Sequence, residues 1–415
     1  MHPLPFLSLA SVAPEADIRS LSSKSHLLAT RRCLCTWLVL AVPLVLIFSR
    51  CAHAGDVPWV WCSEGNWTSD ECWGGFSEPD STDTANIYVG ELSTATTARV
   101  YIRPLNDITV KNIRVYTLSG DENSYVDHLG GDMWVLDDLL LGGKSGDTRY
   151  LLKGGTFRSE NTFVFADSSR PAIFRQSGGE STIDNSLFIG SDEPFSTFLD
   201  SDSSYELQAG RLNTDKVFIG GVIRQGFPPG TFSPEARIDQ TGGEHTNTGY
   251  IMLGDGAGKL GAYRLDAGTL NTPQLVVALD DGEGRFENRT GRLNAGRLNV
   301  GNTGVGKFVQ LNNVNAKTFV SEVIGIAGTS AANGSNLLVE EGYFETPEMV
   351  VGYGGRGSYS QNGGNVHVTG CLFISQMVGS SGSFVYLNGG SLTTGSVVVG
   401  RGEAGSFGQR RGVHT

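Results

Sequence analysis

After Gly55 the chain alternates apolar and polar residues with a period of two, in short runs closed by glycine. ANIYVG (85–90), ARVYI (98–102), ITVKNIRVYTL (108–118) and WVLDDLLLGG (134–143) are examples. Such alternation, rich in β-branched residues, predicts strands, because successive side chains of a strand point to opposite faces. No stretch after Gly55 carries the 3.6-residue period of an amphipathic helix.

The pattern also repeats on a longer scale. Tyr263–Gly284 (YRLDAGTLNTPQLVVALDDGEG) and Arg285–Gly306 (RFENRTGRLNAGRLNVGNTGVG) share one grammar: an aromatic, an anchor two residues on, Gly three after that, a β-branched run, then Gly-x-Gly. The anchors are Leu152, Gln176, Leu207, Gln240, Leu265, Asn288, Gln310, Leu338, Gln361, Tyr386 and Gln409, about 23 residues apart. Two residues before them stand Tyr150, Phe174, Tyr205, Tyr263, Phe286, Phe308, Tyr359, Phe384 and Phe407, with Ile238 and Asn336 as exceptions. Three residues after most anchors stands Gly, as at 155, 179, 210, 243, 268, 291, 364, 389 and 412.

A unit of this size cannot bury its own apolar face, so neighbours must stack on it. The expected fold is all-β: a right-handed parallel β-helix, or β-solenoid, with coils ~4.8 Å apart. The aromatics form an internal structural ladder. Alternate-coil Gln residues hydrogen-bond along another, and the glycines supply the corners.

Residues 1–54 read as a signal peptide with a long n-region. Arg31-Arg32 precede the apolar run Trp37–Phe48, and Ala52-His53-Ala54 fits a cleavage site. The run is shorter than the ~20 residues of a membrane-spanning helix, so the chain is expected to be exported, with no transmembrane span after cleavage. Removing five basic and two acidic residues leaves 31 − 5 = 26 and 43 − 2 = 41, a net charge of −15. That balance excludes sequence-independent nucleic-acid binding. Residues 88–415 form the repeat array, which breaks off inside a unit after Phe407. The open edge of a last coil offers end-to-end self-association.

Residues 55–87 hold Trp59, Trp61, Trp67 and Trp73, and Cys62 and Cys72 lie close enough to pair. The segment reads as a cap over the first coil, with a sugar-stacking aromatic platform as the alternative. The order Trp, Gly65-Asn66-Trp67, Trp73, Pro79, Asp83-Thr84-Ala85-Asn86-Ile87 resembles the start of exported bacterial β-solenoid proteins of the PEP-CTERM and autotransporter-passenger type. The resemblance implies a structural or adhesive protein of the cell surface or extracellular matrix. Its partners would be surface glycans or other cell-surface proteins.

Parallel β-helices also host polysaccharide lyases and hydrolases, so a carbohydrate-active or carbohydrate-binding protein is the alternative. Hydrolysis needs two converging carboxylates. Asp137-Asp138 and Asp280-Asp281 are each adjacent in sequence, and strand neighbours diverge. His245, His367 and His414, each soon after a unit's Gly, read as surface decoration. Calcium is suggested only by Asp255-Gly256 and Asp280-Asp281-Gly282, without an established calcium motif. No catalytic residue, metal site or cofactor is expected, and the chain does not read as an enzyme.

Overall fold

A computed structural model describes residues 55–415, apart from 60–61, 75–76, 89–95, 118–121, 143–145, 167–170, 191–202, 223–235, 257–258 and 312. The signal-peptide reading (1–54), Trp61 and the loop around 225–230 therefore lie outside the described residues.

The described chain is a β-solenoid. Each coil contributes a short strand to one sheet of 15 strands and a longer, bent strand to another of 17. The strand pairs are parallel, except the short Gly221–Val222 strand, which runs antiparallel to Leu260 and Lys259. One coil shows the logic. Strand Ala236–Gln240 turns Ala236, Ile238 and Gln240 inward and Arg237 and Asp239 outward. The chain then rounds a corner at Gly243, where φ is +67°. Strand Glu244–Asp255 follows, with His245 and Asn247 inward before a bend and Ile251 and Leu253 inward after it. The bend recurs as a register shift at Ser159/Asn161, Thr214/Lys216, Ala295/Arg297 and Val368/Cys371.

At the corner a β-carbon on Gly243 would stand 2.6 Å from the Gly210 carbonyl oxygen of the coil before. Only glycine satisfies both the left-handed backbone and that approach.

The short-strand register aligns Tyr150, Phe174, Tyr205, Ile238, Tyr263, Phe286, Phe308, Leu337, Tyr359, Val385 and Phe407 in one inward column. Ring centroids are 4.9 Å apart for Tyr150–Phe174, 4.7 Å for Phe174–Tyr205 and 5.1 Å for Phe286–Phe308. Ile238, Leu337 and Val385 interrupt the stack.

Phe384 does not belong to this ladder. It pairs with Ser358 and is half-buried, while Val385 beside it takes the inward place. The anchors of these two coils are accordingly Val339 and Leu387, not Leu338 and Tyr386, and Tyr386 is exposed. In a strand a slip of one residue exchanges the two faces.

The column also extends toward the N-terminus through Val126 and Val100. Residues 55–87 are not merely a lid: Asp56–Trp59 pairs with Thr84–Ile87, and Glu64–Asn66 pairs with Arg99–Tyr101, so this segment is itself a coil.

Candidate functional site

The Trp segment packs inward. Trp59, Trp67 and Trp73 are buried, with ring centroids 4.9 and 5.0 Å apart in edge-to-face contacts. Trp59 Nε1–H donates to Cys62 O and Trp73 Nε1–H to Trp67 O, which satisfies both indoles. Cys62 and Cys72 form a disulfide beside them. These three rings present no platform to solvent. Cys371 is a free, half-buried thiol at the bend.

The interior polar residues form closed hydrogen-bond sets. Gln240 Nε2–H donates to Thr269 O (3.0 Å) and Gly243 O (3.2 Å), and Gln240 Oε1 accepts from the Tyr263 hydroxyl (2.6 Å). Having given its proton to the amide, Tyr263 accepts from His245 Nδ1–H (3.0 Å). His245 Nε2 then accepts from the Thr214 hydroxyl (2.9 Å), which accepts from Asn247 Nδ2–H (3.1 Å). Burial holds the His245 pKa down at about 3, so the ring is neutral. Gln176 repeats the Gln240 geometry with Tyr205, Gly179 O and Arg211 O. The Gln side chains thus bond to backbone and tyrosine rather than to one another, because Leu207 and Leu265 separate them in the column.

His128, not singled out by the repeat grammar, does the same work as a glutamine. It occupies the anchor position, in register with Leu152. Its Nε2–H donates to Gly131 O (3.1 Å) and its Nδ1 accepts from the Tyr150 hydroxyl (2.9 Å). Desolvation lowers its pKa to about 4. The signal was present: His128 stands three residues before Gly131, at the spacing of most other anchors and their Gly.

The three singled-out histidines do not form one row. His245 is fully buried and not a surface decoration. It shares its inward row with Leu212, Leu270 and, at the far end, His414. His367 stands one residue off that row, between Glu345 and Thr393 on the outer side. Asp280 and Asp281 sit in an exposed turn with φ of 48° and 62°. Asp138 accepts from Asn161 Nδ2–H (3.0 Å) in a bend-side ladder, and Asn161 Oδ1 accepts from Asn185 Nδ2–H (3.1 Å). Among the described residues, no three His, Cys, Asp or Glu side chains cluster closely enough to hold a metal ion.

Outside, the short-strand face carries ion pairs between neighbouring coils. Asp127 lies between Arg99 and Lys153 of the coils on either side, and Arg175 pairs with Glu206 of the next coil, while Glu287 lies between Arg285 and Arg289 of its own coil. The bent-strand face differs. There a groove of about 680 Å³ crosses successive coils between Asn247 and Thr369. One wall is the outward column Asn271–Asn294–Phe319–Glu345, aligned by strand register. The floor is the bend itself, where Pro273, Gly296 and Ser321 leave space. A β-carbon at Gly296 would meet Pro273 O at 2.4 Å, so the floor there admits no side chain.

The wall is internally wired. Arg292 Nε–H donates to Asn294 Oδ1 (2.9 Å), Asn294 Nδ2–H to Asn271 Oδ1 (2.7 Å), and Asn271 Nδ2–H to Glu244 Oε1 (3.0 Å). The Arg292 guanidinium also lies over the Phe319 ring, 4.7 Å from its centroid. Among the described residues no helix is long and apolar enough to cross a membrane. Comparison with known proteins finds no protein family, no curated protein and no solved structure that matches the chain.

Proposed function

We propose that this is an exported structural or adhesive repeat protein of the cell surface or extracellular matrix, of the PEP-CTERM or autotransporter-passenger type. The observation that carries the reading is where the repeated residues spend their bonding capacity. Gln176, Gln240, His128 and the column tyrosines direct their polar atoms at backbone carbonyls and one another. What recurs from coil to coil therefore builds the coil. What varies faces outward.

The groove supports contact rather than hydrolysis. Its lining holds one carboxylate, Glu345, already bonded to the Tyr343 hydroxyl at 2.5 Å, whereas glycoside hydrolysis uses two. Surface glycans or other cell-surface proteins are the partners this reading provides for.

The test is the full chain expressed in a bacterial host with alkaline phosphatase, active only after export, at its C-terminus. Phosphatase activity, and a mature N-terminus beginning near Gly55, are expected. An inactive reporter on an intact, full-length chain refutes export and with it the surface role.

A further inference from the structure

The groove between Asn247 and Thr369 has a length, a charge and a hydrogen-bonding pattern that together select a ligand. Its described lining draws on six successive coils, which at ~4.8 Å per step span ~24 Å. A volume of about 680 Å³ over that length leaves a cross-section wide enough for one extended polymer strand and too narrow for a folded partner.

The lining contains no Lys, Arg or His and a single carboxylate. The adjacent Arg292 is engaged by Asn294 Oδ1 and the Phe319 ring, so an anionic polymer would find no row of cations along the lining, and a cationic one would find little to neutralise. The wall offers amides whose orientation is fixed. Arg292 can only donate and the Glu244 carboxylate oxygen accepts, so the chain of bonds from Arg292 through Asn294 and Asn271 to Glu244 sets which amide atom is oxygen and which nitrogen. Each amide keeps one N–H and one lone pair beyond those bonds, presented in the same sense one coil apart. A group that both donates and accepts, repeated at nearly that spacing, matches this pattern. Hydroxyls along an extended pyranose chain are such groups. An extended peptide would instead want a free sheet edge, and the strands at this wall are paired with neighbours on both sides.

From these features we infer that the groove binds one strand of an uncharged linear polysaccharide, lying across the coils against Asn271 and Asn294 with its path over Gly296 and Ser321. This deepens the adhesive reading by naming the ligand class and its seat, and it rests on that reading only for its biological setting.

The experiment is affinity electrophoresis of the purified full chain through gels containing hydroxyethyl cellulose, xylan or mannan, with polygalacturonate and chitosan as charged comparisons. At least one neutral polymer is expected to retard the protein, and the charged ones are not. Ser321 is exposed, so Ser321→Trp fills the groove without touching the core. It is expected to weaken retention at least tenfold, as is Asn271→Ala combined with Asn294→Ala. Circular dichroism on each variant confirms the fold. Retardation by no neutral polymer, equal retardation by polygalacturonate, or undiminished binding by folded Ser321→Trp overturns the inference. None of these outcomes depends on the phosphatase result, so export and groove can fail separately.

Discussion

Replacing Gln240 by Leu tests whether the interior amides hold the coils together. Leu207 and Leu265 occupy the same column one coil away on either side, so a Leu side chain fits the space. The loss is polar. Gly243 O keeps its bond from the Thr269 N–H, but Thr269 O loses the amide donor and the Tyr263 hydroxyl loses its acceptor. An unsatisfied buried group costs about 1–3 kcal/mol, and added apolar burial offsets about 1 kcal/mol. For two such groups the net expectation is a destabilisation of about 1–5 kcal/mol. Tyr263→Phe alone leaves His245 Nδ1–H without its acceptor and costs about 1–2 kcal/mol. Because the two residues share one bond, the double variant should be less destabilised than the sum, with a coupling of about 1 kcal/mol. Urea unfolding followed by circular dichroism reads the totals. Amide hydrogen exchange across residues 236–270 reads the local effect, since solenoid stability accrues coil by coil. A Gln240→Leu protein within 0.5 kcal/mol of the parent, or strict additivity in the cycle, would refute the reasoning.

Acid should weaken the fold through its buried imidazoles. His245 and His128 have folded-state pKa values of about 3 and about 4 against ~6.5 when unfolded, so as pH falls below ~6.5 the unfolded chain takes up protons first. Each then costs about 2 kcal/mol at pH 5 relative to neutral pH, and His245→Leu should shrink that drop by about half in urea midpoints at pH 7 and 5. Gly243→Ala combines left-handed strain with a contact at 2.6 Å and should cost at least about 2 kcal/mol, whereas Gly334→Ala, with φ +93° and open space around it, should cost only about 1 kcal/mol. Asn288 Oδ1 is buried without a partner beneath Phe308. Asn288→Gln with Phe308→Tyr should therefore show a favourable coupling of about 1 kcal/mol by the same urea assay.

The coil period, the inward column from Tyr150 to Phe308 and the polarity of its anchors were legible because strand alternation and glycine spacing reinforce each other. Legibility failed where they parted. In the coils at 335–339 and 383–387 the inward position carries Leu337 and Val385, and the neighbouring Phe384 draws the register one residue off. Gly342 and Gly390, with φ of 89° and 74°, mark the true corners. The Gly389-Gly390 pair made both registers readable. His245 was misplaced for a related reason: facing direction depends on distance from the corner, and a polar residue three after Gly242 reads equally well outside. The groove was not legible at all. It arises from the bend in the longer strands, a backbone feature, and from side chains that share no motif between coils.

The anchors alternate polar and apolar: His128, Leu152, Gln176, Leu207, Gln240, Leu265, Asn288, and then, after Gln310, Val339, Gln361, Leu387, Gln409. Tyr150, Tyr205 and Tyr263 each follow a polar anchor, and Phe174, Ile238 and Phe286 each follow a leucine. The unit of inheritance in such a stack is then two coils rather than one. Losing a single coil would seat a tyrosine hydroxyl on a leucine, while losing a pair keeps every partner. Asn288 and Gln310, polar in succession, end this sequence of pairs, and the unpaired Asn288 Oδ1 lies at that break; beyond it Tyr359 follows Val339 and turns its hydroxyl to Gln361 of its own coil.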